Sequence, residues 1–411
     1  MLQRVRAASA DTFRSLQVRN FRLFFGGQMI SQIGNWLTLV AQSLLVLHIT
    51  DRNGVAVGVL TACQFLPVLL LGAWSGLVAD RSDKRRLLLI VQAAAMIQSF
   101  ALAAVAWSGS DSLLAVYAIA LAGGVATAFD NPARRAFVVE MVPETHVQNA
   151  VSLNSAMMTG SRMIGPALAG VLILTVGYGW CFAIDGISYL AVLAGLWRMD
   201  TRQLRPSTRT PAGKGQVREG IRYARSVPEL WVPLTMMALV GTFAFNFSVV
   251  MPLFVTKSLG SSDTVFTVLL SVVSIGSVIG ALRSARRTSV GVREVALASG
   301  GFGLAMLALA AAPNVAVALP LAVLVGFTSI TFMTTSTAIV QLRAAPEMRG
   351  RVLAFQAIVF LGSTPIGGPI VGAVCQFFGA RVGLVLGGVA CLAAAVLGRA
   401  AAARRPAVAP A

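Results

Sequence analysis

Charged residues are scarce in this 411-residue chain, and acidic residues are the scarcer kind. Only 12% of the residues are charged, and 15 Asp and Glu stand against 33 Lys and Arg. A soluble domain carries about a quarter charged residues. The chain also has only two histidines and four cysteines, and it contains no CxxC pair. These shortages exclude a water-soluble globular domain, a disulfide-rich fold and a cysteine metal site.

Hydrophobic residues make up 56% of the chain and fall in twelve long runs. A membrane-spanning helix needs about 20 apolar residues, and the runs lack the alternation of membrane β-barrel strands. We therefore predict an all-α polytopic membrane protein with twelve transmembrane helices. These are numbered spans 1 to 12 and lie near residues 22–50, 55–79, 87–107, 113–133, 149–176, 180–198, 231–256, 264–283, 294–312, 315–340, 352–378 and 382–398. The N-terminal segment has no small-residue cleavage site, so no removable signal peptide is predicted.

Basic residues are unevenly distributed between the two sides of these spans. With a cytoplasmic N-terminus, the opposite side receives only Arg52, Lys257 and Arg381, while Arg162 falls within span 5. All other Lys and Arg then lie on the cytoplasmic side. The positive-inside rule predicts a multi-pass protein of the inner or plasma membrane with both termini in the cytoplasm. The same alternation argues against nucleic-acid binding, despite a net charge of +18.

A long polar interruption between spans 6 and 7 divides the chain in two. We predict a six-helix bundle over residues 1–199, a cytoplasmic linker over 200–229 and a second six-helix bundle over 230–411. The rear of the linker, "GQVREGIRYARSVPELW", has the pattern of a basic amphipathic helix. It fits a helix lying on anionic lipids of the inner leaflet, or an ordinary solvated helix leading into span 7.

An internal repeat supports this division. "PETHVQNAVSLNSAMMTGSRMIGPALAG" begins at Pro143 and "PEMRGRVLAFQAIVFLGSTPIGGPIVG" begins at Pro346. Each pairs Pro-Glu with a later Gly-Pro at the same spacing, Gly165-Pro166 in the first copy and Gly368-Pro369 in the second. Internal repeats of this kind are typical of secondary transporters, whose substrate site lies at the repeat interface near the bilayer midplane.

The stretch "GLVADRSDKRR", residues 76–86, places two acids and four bases between spans 2 and 3. The bases fit the positive-inside rule, but the acids and the glycine need another explanation. We expect Gly76 to allow close approach of a neighbouring helix. Asp80 can face the positive N-terminus of a helix from the other half. Such contacts would hold the cytoplasmic face shut and release as the halves move; a tight solvated turn is the alternative.

This loop resembles the signature loop of the major facilitator superfamily, Gly-x-x-x-Asp-Arg-x-x-Arg/Lys-Arg. The match rests on Gly76, Asp80, Arg81, Lys84 and Arg85. The stretches "NFRLFFGGQMISQIGNWLTLVAQSLLV", "DNPARRAFVVEMVP" and "NAVSLNSAMMTGSRMIGPALAG" are similar to a drug- and siderophore-exporting branch related to macrolide efflux and enterobactin export proteins. The resemblance implies the major facilitator fold, with two pseudo-symmetric six-helix bundles, and alternating access without a cofactor or metal.

Span 5 is similar to the antiporter motif of exporting members of that superfamily. The similar residues are Gly160, Gly165, Pro166 and Gly170. Small residues permit tight helix contact, and a proline removes one backbone hydrogen bond and bends a helix. Plain close packing is the alternative to a gate here, and the motif favours export over import.

Ionisable residues at membrane depth are few and are candidate functional groups because burying them is costly. Arg162 lies in the middle of span 5 and is a candidate for substrate binding. Asp185 in span 6 and Asp130 at the inner end of span 4 are candidates for proton coupling. Pairing of Asp130 with Arg134 or Arg135 is the structural alternative.

Span 1 carries a polar stripe that predicts a cavity-facing helix surface. Its members recur at helical spacing and lie on one side of the helix, where a polar face should meet a cavity or another helix rather than lipid. Spans 7 and 10 add polar residues. The predicted substrate-binding residues are Gln28, Gln32, Asn35, Gln42, Arg162, Asn246, Thr331 and Thr335.

These patterns together predict a secondary transporter that exports a bulky amphipathic small molecule by proton antiport. A proton-coupled importer or a lipid flippase is the alternative within transport, and a channel or a non-transporting scaffold is the alternative outside it. No GxxxxGK[ST] phosphate loop is present, which excludes an ATP-driven pump. The expected partners are the substrate, protons and anionic lipids, with the chain acting as a monomer.

Overall fold

Long helices make up the secondary structure of the protein. In the computed structural model, which describes residues 13–205, 216–284 and 290–403, twelve helices are long and apolar enough to cross a membrane. The predicted all-α, twelve-span fold is therefore confirmed. The helices are Arg19–Ile49, Gly54–Arg81, Lys84–Trp107, Leu113–Glu140, Glu144–Thr175, Tyr178–Trp197, Pro228–Ser258, Asp263–Ser284, Val292–Ala310, Val315–Arg343, Pro346–Phe378 and Ala380–Ala403.

Short side chains and tight turns determine where several helices begin. Asp83, Ser112 and Asn314 accept hydrogen bonds from the backbone N–H groups of the first turns of spans 3, 4 and 10, which satisfies donors that have no partner within the helix. Gly177 and Gly379 adopt φ values of +86° and +92°, a region that favours glycine. The connections between spans 5 and 6 and between spans 11 and 12 are therefore very short.

The chain divides into two compact units. The first comprises Met1–Leu45 and Leu66–Pro211, and the second comprises Val46–Phe65 and Ala212–Ala411. The first half of span 2 groups with the second unit because its glycines pack directly on span 11. A Cβ on Gly54 would lie 2.7 Å from the Gly372 carbonyl oxygen, and one on Gly58 would lie 2.7 Å from that of Gly368. The predicted division into 1–199, 200–229 and 230–411 stays a prediction.

In the first unit, an apolar core lies where spans 1, 3, 4 and 6 meet. Phe24 and Phe137 pack edge to face with their ring centroids 5.7 Å apart, and Leu88, Val192 and Leu196 are fully buried around them. Aromatic pairs in this geometry add to the stabilisation that comes from burial alone. This core fixes the positions of the four helices that carry most of the polar groups discussed below.

In the second unit, span 7 is interrupted. It consists of an α-helix over Pro228–Phe243, a second over Phe247–Leu253 and a π-helical segment over Phe254–Ser258. Asn246 lies at the break and donates a hydrogen bond from Nδ2 to the Thr242 carbonyl oxygen at 2.7 Å. Interrupted transmembrane helices occur where backbone groups line a site.

The linker contains the expected helix, Gln216–Ser226, while residues 206–215 lie outside the described residues. This linker helix packs against the start of span 11. Glu219 pairs with Arg351 at 2.7 Å, and the Tyr223 hydroxyl accepts a hydrogen bond from the Ala345 N–H at 3.0 Å. Arg222 and Arg225 are exposed, and the Arg225 guanidinium lies over the Trp231 ring, 5.0 Å from its centroid.

Candidate functional site

Asp185 is a carboxylate buried within span 6. Its side chain is 1% exposed. Oδ2 accepts hydrogen bonds from the hydroxyls of Thr38 on span 1 and Ser99 on span 3, both at 2.8 Å. The Ser188 hydroxyl lies 3.5 Å from Oδ1. Three spans of the first unit therefore converge on this one acid, and in the described residues its hydrogen-bond partners are hydroxyl groups.

Gly34 on span 1 creates the space for this carboxylate. A Cβ at Gly34 would collide with Asp185 Oδ1 and would lie 2.9 Å from the Ser188 hydroxyl. Neither Gly34 nor Thr38 belongs to the stripe identified in the sequence. Thr38 is nevertheless a direct hydrogen-bond partner of Asp185. The face of span 1 that meets span 6 thus carries a second group of functional candidates.

Asp130 lies in a different environment on span 4. It forms an ion pair with Arg134 at 3.0 Å, which is the structural alternative foreseen from the sequence. Its Oδ1 also accepts a hydrogen bond from Gln92 Nε2 on span 3 at 2.7 Å. Arg134 in turn donates to Asn131 Oδ1 at 3.0 Å. Asp130 is therefore held by a neighbouring cation, whereas Asp185 is held by hydroxyls.

The polar stripe of span 1 is mostly buried. Gln28, Gln32 and Gln42 are each at most 5% exposed, but Asn35 is exposed. Gln32 Nε2 donates to Gln28 Oε1 at 3.3 Å, and Gln28 Nε2 is buried with no hydrogen-bond partner in the described structure. A buried amide without a partner costs free energy, so this end of the stripe is suited to a polar ligand group or to water.

Arg162 lies over the indole ring of Trp36, 5.2 Å from its centroid. The contact depends on Gly165, one turn further along span 5. A Cβ there would collide with Trp36 and would lie 2.9 Å from the Ile33 carbonyl oxygen. Gly165 therefore allows spans 1 and 5 to approach closely, and the next residue, Pro166, is buried. By contrast, a Cβ built at Gly160 would meet no atom of the described residues within 4 Å.

The candidates in the second unit are occupied by contacts within their own helices. The Thr331 hydroxyl donates to the Phe327 carbonyl oxygen and the Thr335 hydroxyl to that of Thr331, both at 2.6 Å. Such bonds to the preceding turn are common for threonine. Asn246 Oδ1 is buried with no partner in the described residues. Among these three candidates, Asn246 therefore has a buried side-chain atom that makes no hydrogen bond in the described residues.

The loop between spans 2 and 3 uses its charges in several ways. Lys84 forms a buried ion pair with Glu140 at 2.6 Å, with both side chains 8% exposed. Arg85 Nε donates to the Leu196 carbonyl oxygen at 2.7 Å, at the end of span 6. Asp80 and Arg81 are exposed.

The close helix contact expected at Gly76 is not seen among the described residues. A Cβ built at Gly76 meets no atom of the described residues within 4 Å. The second acid of the loop has a local role. Asp83 caps the first turn of span 3 by accepting a hydrogen bond from the Arg86 N–H at 3.0 Å.

Several functional candidates went unnoticed in the sequence. Glu140, Ser99 and Gln92 lie in spans 3 and 4 and carry no local pattern that singles them out. One signal available in the sequence was that Glu140, at the end of span 4, falls on the same predicted side of the membrane as the bases between spans 2 and 3, with one of which, Lys84, it pairs. In the described residues, no group of three or more His, Cys, Asp or Glu side chains could hold a metal ion.

Comparison with known proteins agrees with this architecture. Over 365 residues, 87% of this chain and 90% of that protein, the chain is 25% identical to the staphyloferrin A transporter of Staphylococcus aureus. It is also 25% identical to the multidrug efflux pump Tap of Mycobacterium tuberculosis over 361 residues, 82% of this chain and 83% of the pump.

Among solved structures, a bacterial homologue of the human lysosomal transporter Spinster superposes with a TM-score of 0.74. The identity is 16%, and the match covers 96% of this chain and 97% of that one. At this level of identity the match shows the shared fold, which is that of major facilitator transporters. The family model described as transmembrane secretion effector matches residues 10–407. The chain belongs to this transmembrane secretion effector family and is a multi-pass major facilitator transporter rather than an enzyme.

Proposed function

We propose that the protein exports a bulky amphipathic small molecule, such as a drug, secondary metabolite or siderophore, in exchange for protons by alternating access. The names of its relatives support the substrate class, since they include a siderophore transporter and a multidrug efflux pump. The small-residue motif of span 5 favours export. Orientation follows from the distribution of basic residues, with both termini in the cytoplasm of an inner or plasma membrane.

One observation carries the coupling part of the proposal: the buried carboxylate of Asp185 is held by hydroxyls. A hydroxyl can donate to an ionised carboxylate, and it can accept a hydrogen bond from a protonated one. Asp185 can therefore change its protonation state without leaving a basic partner uncompensated. Ionisable groups of this kind at membrane depth are typical of proton relays. Asp130 is the second coupling candidate, and its ion pair with Arg134 must rearrange when it is protonated.

For substrate binding, the proposed residues are those of the span 1 stripe, Arg162, Asn246, Thr331 and Thr335. Gln28 Nε2 and Asn246 Oδ1, which have no hydrogen-bond partner among the described residues, support this assignment, because a polar ligand would satisfy them. The Arg162–Trp36 contact offers a charge and an aromatic face for an amphipathic molecule. For gating, we propose Gly76, Asp80, Arg81, Lys84 and Arg85 together with Gly165 and Pro166.

The test uses everted membrane vesicles with an acidified interior. A macrolide, a cationic dye or a siderophore is added to the medium outside them. A proton-coupled exporter accumulates at least one of these probes, and a protonophore abolishes the accumulation. Asp185→Asn should abolish proton-driven accumulation while leaving exchange of labelled for unlabelled probe intact. Asp111→Asn is the matched control, because Asp111 is an exposed acid between spans 3 and 4.

Two results would contradict the proposal. One is undiminished accumulation in the double variant Asp130→Asn/Asp185→Asn, which would show that neither acid couples protons to transport. The other is accumulation of the probes only in right-side-out vesicles, which would identify a proton-coupled importer, the alternative that uses the same residues.

A further inference from the structure

A cluster of phenylalanine rings surrounds the break in span 7. The centroid of the Phe245 ring lies 5.1 Å from that of Phe360 on span 11 and 5.4 Å from that of Phe302 on span 9. Phe247 adds a further ring at 6.0 Å. Phe302 and Phe247 are buried, whereas Phe245 and Phe360 are only partly buried. The buried rings therefore support Phe245, and the contacting pair Phe245 and Phe360 keeps part of its surface uncovered.

The amide of Asn246 adjoins this cluster, and its hydrogen bond fixes its orientation. Nδ2 donates to the Thr242 carbonyl oxygen at 2.7 Å, and a carbonyl oxygen can only accept a hydrogen bond. Oδ1 is therefore the other amide atom, and it is buried with no hydrogen-bond partner among the described residues. A Cβ at Gly367 would lie 2.9 Å from Asn246 Nδ2. This places the amide directly against span 11, the helix that carries Phe360.

Gln356 supplies a second acceptor, one turn before Phe360 on the same face of span 11. Its Nε2 donates to the Thr337 hydroxyl at 3.2 Å, and that hydroxyl donates to the Met333 carbonyl oxygen at 2.9 Å. Because a hydroxyl has only one hydrogen, its oxygen must accept from the amide NH₂ group of Gln356. Gln356 Oε1 is thus a buried acceptor, and it has no hydrogen-bond partner in the part of the chain that the structure describes.

The surroundings of these groups carry no fixed charge. No Asp, Glu, Lys or Arg occurs in residues 230–256, 295–310 or 352–378, the stretches of spans 7, 9 and 11 around the cluster. Two amide oxygens that lack donors disfavour a carboxylate and favour N–H groups, because a buried acceptor without a partner costs free energy. The faces of phenylalanine rings attract cations. An amine is therefore a better fit to this environment than an acid.

We propose that Phe245, Phe360, Asn246 and Gln356 form a subsite for a cationic aromatic amine carried by the transported molecule. The two rings contact its aromatic part, and its N–H groups donate to Asn246 Oδ1 and Gln356 Oε1. The subsite rests on the proposed export function and narrows its substrate class, since it selects an aromatic amine over a carboxylate.

The experiment uses two monocationic dyes of similar shape, which separate hydrogen bonding from ring contact. Rhodamine 6G carries an N–H on each of its two amino groups, whereas tetramethylrhodamine ethyl ester carries none. Each dye is titrated with the purified full-length protein in mild detergent, and its dissociation constant is measured by fluorescence anisotropy against protein-free micelles. We expect the protein to bind rhodamine 6G about tenfold more tightly than the ester.

Four variants test the residues of the subsite. Asn246→Leu and Gln356→Met each remove one acceptor and should reduce the preference for rhodamine 6G about threefold. Phe360→Leu removes a ring and should weaken the binding of both dyes about fivefold. Phe355→Leu is the matched control, because it makes the same change on the same helix at a ring that stacks on Trp231, 6.4 Å between centroids. It should leave both affinities unchanged.

The preference is a ratio of two affinities measured on one preparation, so partial unfolding of a variant does not alter it. Three results would overturn the subsite: equal binding of the two dyes by the unaltered protein, an unchanged preference in both Asn246→Leu and Gln356→Met, or unchanged affinities in Phe360→Leu. The vesicle assay decides the proposed function separately. Proton-driven accumulation of a siderophore or a macrolide by a protein that shows no dye preference leaves export standing and removes only this subsite.

Discussion

Lys84 and Glu140 form a buried ion pair where span 3 begins and span 4 ends. Removing one partner from such a pair leaves the other charge buried and uncompensated, at a cost of about 3–5 kcal/mol. We expect Lys84→Met and Glu140→Met each to lower the free energy of unfolding in mild detergent by this amount. The double variant should recover much of the loss, because it leaves neither charge behind.

Arg86→Met provides the comparison for this pair. It breaks the exposed contact between Arg86 and Asp83 at 3.7 Å, and exposed pairs contribute at most about 1 kcal/mol. If the Lys84 and Glu140 single variants lower the free energy of unfolding no more than Arg86→Met does, the buried pair does not stabilise the fold.

The close contact between spans 1 and 5 depends on the absence of a side chain at Gly165. We expect Gly165→Ala to destabilise the protein by about 1–3 kcal/mol, because the added methyl group meets Trp36 and the span 1 backbone. Gly160→Ala adds the same methyl group to the same helix in open space. It should be neutral or should stabilise the helix slightly. Thermal unfolding of the two purified variants checks the difference, and equal melting temperatures would contradict it.

The presence of the twelve membrane-spanning helices could be predicted from the sequence, because it depends on local composition. Each span is an apolar run long enough to cross a bilayer, so all twelve were located without any tertiary information. Span 5 nevertheless begins at Glu144, directly after its N-cap Pro143. This is earlier than the apolar run predicts, because the polar first turn is helical outside the hydrophobic stretch. The break in span 7 at Asn246 was not predicted, since the residues around it are apolar.

The site was predictable only in part, for a different physical reason. Asp185, Asp130 and Arg162 stood out because a charge in an apolar run is rare. Their hydrogen-bond partners did not stand out in the sequence. Thr38 and Ser99 reach Asp185, and Gln92 reaches Asp130, only because spans distant in the sequence pack together. Thr331 and Thr335 show the opposite case. Their polarity suggested a site, but their hydroxyls are satisfied by the preceding turn of the same helix.

At the scale of the whole molecule, the uneven distribution of basic residues makes a prediction about orientation. In a Cys63→Ala background, a cysteine in place of Asp111 should react with a membrane-impermeant maleimide added to intact cells. A cysteine in place of Asp83 should react only after lysis. Both positions are exposed, so accessibility differs only by the side of the membrane. The reverse labelling pattern would place both termini outside the cytoplasm.

The hydroxyls around Asp185 also have a consequence for how the protein is made. An aspartate near the centre of a helix opposes its insertion by about 2.5–3.5 kcal/mol, and Asp185 lies well inside the span Tyr178–Trp197. Its partners Thr38 and Ser99 belong to spans 1 and 3, which leave the ribosome first. When span 6 enters the bilayer, the hydroxyls of Thr38 and Ser99 that donate to Asp185 are therefore already inserted. A chain rearranged so that span 6 is synthesised before spans 1 and 3 would lose that assistance during its biogenesis, although its finished fold would be the same.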